Sequence, residues 1–99
     1  MATKKKKALQ PVVVRTYSAG AFFGYLVSQS ADGKRVELER ARRLWSWKGA
    51  NTLSEIATSG VAEGSRIAVP VDITLTEAVE VIKATQAAVD NLEKSTWAR

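Results

Sequence analysis

The chain of 99 residues reads as a small α+β domain, an antiparallel β-meander of about five strands with one short capped helix and a C-terminal helix. Three observations predict this class. The first third carries two β-branched and aromatic runs separated by a glycine break; an Asp-Gly pair at Asp32-Gly33 signals a hairpin; and helix-start chemistry with 3.6-residue periodicity is confined to the part of the chain after Gly49.

The elements follow in order. Residues 1–10 read as a disordered basic tail, because Lys4, Lys5, Lys6 and Lys7 are followed by no periodic apolar pattern, and a single domain spans residues 11–99. Val12-Val13-Val14-Arg15-Thr16-Tyr17 is the first strand, and Ser18-Ala19-Gly20 ends it. Ala21 to Ser28 is the second; its aromatics fall at odd and even positions, which predicts burial on both faces. Gly20 and Gly24 could bring backbone near a phosphate, but bends in a curved sheet are the stronger reading. After the Asp32-Gly33 turn, Arg35-Val36-Glu37-Leu38-Glu39 alternates as a half-exposed strand does.

Continuing that strand through Ala41-Arg42-Arg43-Leu44-Trp45-Ser46-Trp47-Lys48-Gly49-Ala50 puts Arg43, Trp45 and Trp47 on one face and Arg42, Leu44 and Ser46 on the other. A helical turn over Ala41 to Leu44 is the competing reading, since Ala, Arg and Leu are good helix formers. Thr52-Leu53-Ser54-Glu55 fits a capping box, Leu53, Ile56 and Ala57 share a face, and Gly60 is a stop. Arg66 to Val69 and Ile73 to Leu75 read as strands interrupted by Pro70. Ala78 to Lys83 is a further strand or a helix, and Thr85 to Ser95, with Ala88, Val89 and Leu92 helically spaced, is the terminal helix.

Composition removes most chemistry. Without cysteine or histidine there is no thiol nucleophile, disulfide, common zinc site or imidazole base, and Ser18 has no histidine to activate it. Asp32, Glu37, Glu39, Glu55 and Asp72 show no metal-site spacing. No enzyme, cofactor or metal is expected. No apolar run is long enough to span a bilayer and no signal-type segment follows the N-terminal lysines, so a soluble cytoplasmic protein without membrane contact is expected.

The net charge of +5 resides in Lys4 to Lys7 and Arg15, because ten cations balance ten acids from Tyr17 onward. Within that balance, the segment from Lys34 to Lys48 is basic. Two indoles beside guanidinium groups suit stacking and anion capture, so the candidate ligand- or partner-binding residues are Arg15, Tyr17, Arg42, Arg43, Trp45, Trp47 and Lys48. The bland counterpart is that the tryptophans pack a core or interface and that Arg42 and Arg43 are solvated or pair with Glu37 and Glu39. The lysine tail is a candidate polyelectrolyte arm for nucleic acid or an acidic partner, and Trp97 a candidate oligomer anchor.

Arg15-Thr16-Tyr17-Ser18-Ala19-Gly20 with Gly24-Tyr25-Leu26, then Ala41 to Ala50, then Leu75-Thr76-Glu77-Ala78, resembles a set of small uncharacterised proteins of tailed bacteriophages and prophages. The resemblance covers Val12 to Lys83 and implies a phage origin and expression in a bacterial host cytoplasm. It supplies no activity or site residue. The expectation is therefore a non-enzymatic, homo-oligomeric accessory module that holds a nucleotide-like anion or a host protein, with counter-defence a natural use. The alternative is a nucleic-acid-binding or virion-associated protein acting through the lysine tail and basic face.

Overall fold

The computed structural model describes residues 9–95. Six strands and two helices follow one another as β1 (Gln10–Thr16), β2 (Ala21–Gln29), β3 (Val36–Ser46), α1 (Leu53–Ser59), β4 (Arg66–Ile67), β5 (Val71–Leu75), β6 (Ala78–Lys83) and α2 (Gln86–Lys94). The predicted α+β meander is present: the strands lie in the order β4-β3-β2-β1-β6, with β5 also paired to β3, and every pairing is antiparallel. β1 begins two residues ahead of the strand start expected at Val12, with Gln10 opposite Leu26 and Leu9 packed on the core.

Both open alternatives resolve as strand. The tryptophan segment continues β3 as far as Ser46, and Ala78–Lys83 pairs with β1. β4 is only two residues long, shorter than the expected run from Arg66 to Val69.

The sheet has two buried faces. On one, Val13, Phe23, Leu44 and Ile67 lie under Ile56 and Ala57 of α1 and Ala88, Val89 and Leu92 of α2. On the other, Val12, Val14, Phe22, Val36, Leu38, Ala41, Leu75 and Ala78 pack together with no helix over them. Curling of the sheet encloses this second cluster. β5 and β6 lie on opposite sides of the meander, yet only Thr76 and Glu77 join them, so the short link draws the two margins together. An amide of Ala78 donating to the Lys34 carbonyl at 3.0 Å ties the seam. β2 therefore runs through the middle with Phe22 and Phe23 both buried, each stabilising the fold by about 2–3 kcal/mol.

The bend has an identifiable origin. The β2–β3 register shifts between Phe23 and Tyr25, and a Cβ on Gly24 would lie 3.0 Å from the Ala41 Cα. Across from it Arg40 takes φ 50° and its amide donates to the Asp72 carboxylate at 3.1 Å, a bulge that leaves the ladder locally unpaired. Gly24 is thus a close-packing glycine in a curved sheet, as expected.

α1 starts at the cap predicted for it, and α2 starts behind a second threonine. The Thr52 hydroxyl accepts from the Glu55 amide at 3.2 Å; the Glu55 carboxylate accepts from the Asn51 amide at 2.7 Å, one residue ahead of the capping-box position. Thr85 caps α2 and also donates through its hydroxyl to the Thr58 carbonyl at 2.6 Å, locking the two helices together. Asn91 completes the lock, donating to the Val61 carbonyl at 2.9 Å and accepting from its amide at 2.8 Å.

Candidate functional site

At one end of the sheet the β1–β2 turn, the end of β3 and the start of α1 surround a cleft of about 770 Å³. Its walls include Arg15, Tyr17, Ser18, Trp45, Trp47, Asn51, Ser54 and Glu80. This volume lies within the range of small-molecule sites, ~300–1,000 Å³.

The turn that forms one wall is pinned by its own polar groups. The Thr16 hydroxyl donates to the Gly20 carbonyl at 2.7 Å and accepts from the Ala19 amide at 2.9 Å, while Gly20 takes φ 93°, a conformation that a side chain resists. The Tyr17 amide donates to the Glu77 carbonyl and the Ser18 hydroxyl to the Glu77 carboxylate, so the turn is fastened to the β5–β6 link. Tyr17 is held out from it, 81% exposed.

The opposite wall is indole. Trp45 is 57% exposed, with the Arg66 guanidinium 5.4 Å from its ring centroid, in cation–π range. Trp47 lies past the end of β3 and is partly buried against the helix-covered cluster. On the sheet, Arg15 and Glu80 face each other across β1 and β6, their Nε and Oε1 atoms 3.7 Å apart and both side chains about half exposed. The cleft walls therefore hold one guanidinium and one carboxylate beside aromatic surface, and Arg66 joins them only through its contact with Trp45.

Four predicted site residues, Arg15, Tyr17, Trp45 and Trp47, meet at this cleft. Three do not. Arg42 is 6% exposed, and its guanidinium donates to carbonyls of Ala68 at 2.8 Å, Leu92 at 2.8 Å and Ser95 at 2.6 Å, with longer contacts to Ile67 and Glu93 at 3.4 Å. It closes the last turn of α2 and the loop after β4, where unpaired carbonyls attract a cation. Burial lowers its pKa, against the attraction of Glu93. As a ligand-binding residue it is corrected to a structural one, since its donors are already used.

Arg43 lies with its guanidinium 4.8 Å over the ring of Phe22, a residue of the enclosed cluster, and does not border the cleft, while Trp47 leaves the expected stripe by packing against the helix-covered cluster. Neither arginine pairs with Glu37 or Glu39; Glu37 is met by Arg35 at 3.5 Å. Lys48 engages Ser65 and Ala62 through its backbone and does not border the cleft. Lys4, Lys5, Lys6, Lys7 and Trp97 lie outside the described residues.

Sequence reasoning missed Glu80, Asn51 and Arg66. Only the β1–β6 pairing brings Glu80 to the cleft and only the β3–β4 pairing brings Arg66 to Trp45, and no local pattern encodes those. A second polar cluster lies elsewhere: the Tyr25 hydroxyl donates to the Glu93 carboxylate and Arg40 stacks on the Tyr25 ring at 4.0 Å. Burial, with the Glu93 contact, pushes the Tyr25 phenol up to about 12. Among the described residues no group of three or more acidic side chains is placed to hold a metal, and no helix is long and apolar enough to cross a membrane.

Residues 9–92 match the model of a domain of unknown function, DUF6948, and the chain belongs to that family. No curated protein and no solved structure matches it.

Proposed function

We propose that this DUF6948 chain is a non-enzymatic binding module of phage or prophage origin whose aromatic cleft captures a nucleotide-like anion. The observation that carries the reading is the convergence of Arg15, Tyr17, Trp45 and Trp47 from three separate elements on one cleft. Indole faces stack on a planar base, and guanidinium groups take an anionic oxygen. The distribution of cations favours a pocket ligand over an open nucleic-acid track. Arg42 is consumed by carbonyls and Arg43 stands over Phe22, so the basic segment offers no continuous phosphate-binding stripe through these two residues. In this reading the protein acts in the host cytoplasm as a homo-oligomer, and sequestering a host nucleotide signal is its counter-defence use.

The test is a titration of the full chain with adenosine 5′-monophosphate, followed by tryptophan fluorescence. Saturable quenching is expected, with loss of binding in Arg15→Ala and Trp45→Ala at unchanged circular dichroism. Absence of saturation, or binding indifferent to both substitutions, overturns the reading.

A further inference from the structure

Glu80 stands in the cleft where an anion-binding site gains nothing from a carboxylate. It meets Arg15 through one loose contact, Nε to Oε1 at 3.7 Å. Among the described residues the Arg15 Nη atoms and the second Glu80 oxygen make no hydrogen bond or ion pair. β1 and β6 hold the two side chains directly opposite each other, and both border the cleft beside Trp45 and Trp47. The sheet thus presents, side by side, a donor fork for an anion and an acceptor for hydroxyl or amine hydrogens.

We infer that Glu80 is a specificity-determining residue that accepts hydrogen bonds from sugar hydroxyls, so that the cleft selects a ribonucleotide, with the phosphate on Arg15 and the base against the indoles. This rests on the proposed function and names its ligand class more narrowly. A ligand carrying an anion alone must compete with Glu80 for Arg15. One that carries hydroxyls next to its phosphate satisfies both groups, because the sugar hydroxyls donate to the carboxylate while the phosphate accepts from the guanidinium. Removing the hydroxyls leaves Glu80 facing the phosphate without compensation. Hydrogen bonds to a charged group in a half-exposed site correspond to about a tenfold preference at the low end of their range.

The experiment compares adenosine 5′-monophosphate with its 2′,3′-dideoxy counterpart by isothermal calorimetry, on the full chain and on Glu80→Ala. The full chain is expected to bind the ribonucleotide about tenfold more tightly. In Glu80→Ala the ratio should fall to about one, through tighter binding of the dideoxy ligand and weaker binding of the ribonucleotide. Glu80→Gln, which keeps one acceptor and loses the charge, should give an intermediate ratio. Equal affinities in the full chain overturn the role of Glu80 and leave the nucleotide-binding reading intact. A ribose preference that survives Glu80→Ala does the same, placing hydroxyl recognition on another wall. If neither nucleotide binds the full chain, the function proposed above fails and this inference with it.

Discussion

Arg42→Ala should be among the most damaging substitutions at any charged residue of this chain, although a neighbouring arginine is nearly dispensable. The side chain is 6% exposed and its three short hydrogen bonds end on carbonyls of Ala68, Leu92 and Ser95. A hydrogen bond from a charged donor is worth about 1.5 kcal/mol net at the low end, so three give roughly 4–5 kcal/mol. Relief of the cost of burying the guanidinium offsets part of this. A net loss of about 3 kcal/mol is therefore expected, and a domain of this size loses about 4–8 °C of Tm per kcal/mol. Equilibrium urea denaturation followed by circular dichroism measures it. Arg42→Lys, whose single ammonium cannot span three carbonyls, should recover less than half of the loss. Arg43→Ala, which removes only the cation–π contact over the Phe22 ring, is the control and should cost less than about 1 kcal/mol. An Arg42→Ala protein within about 0.5 kcal/mol of the parent would refute the assignment of this residue as the clamp on α2.

Other substitutions test the rest of the framework. Gly24→Ala places a methyl 3.0 Å from the Ala41 Cα at the bend and should cost about 1–3 kcal/mol in the same denaturation assay, because two backbones must separate. Asn91→Ala leaves both polar groups of Val61 without their partner and should destabilise by about 1–3 kcal/mol, with faster amide exchange at Val61. Tyr25 should ionise near pH 12 against an ordinary value of 10.0. A folded-state pKa raised in this way stabilises the fold fully below about pH 10, and the contribution is lost as the pH climbs toward 12. Thermal melts between those limits should show the decline, and Tyr25→Phe should remove that component.

The two fates of adjacent arginines show how far local sequence reaches. Period-2 alternation separates Arg42 from Arg43 correctly, and the caps at Thr52 and Thr85, the Asp32-Gly33 turn and the double burial of β2 are all written in residues near one another. Which face of β3 would meet α2 is not written there. The bulge at Arg40 resets the count: Leu38 and Ala41, three apart, share the enclosed cluster, while Leu44, three further on, lies beneath the helices. Counting in twos from Leu38 would put Arg42 in the enclosed cluster, whereas it faces the C-terminal carbonyls of α2. The same non-locality governs the cleft. Its tryptophans and Arg15 stand out by residue type alone, but Glu80 becomes their neighbour only through the β1–β6 register, 65 residues along the chain from Arg15. An aromatic-and-arginine signal in sequence can therefore mark residues that come to line a cleft. The carboxylate set against the arginine is placed by sheet topology, through the β1–β6 register.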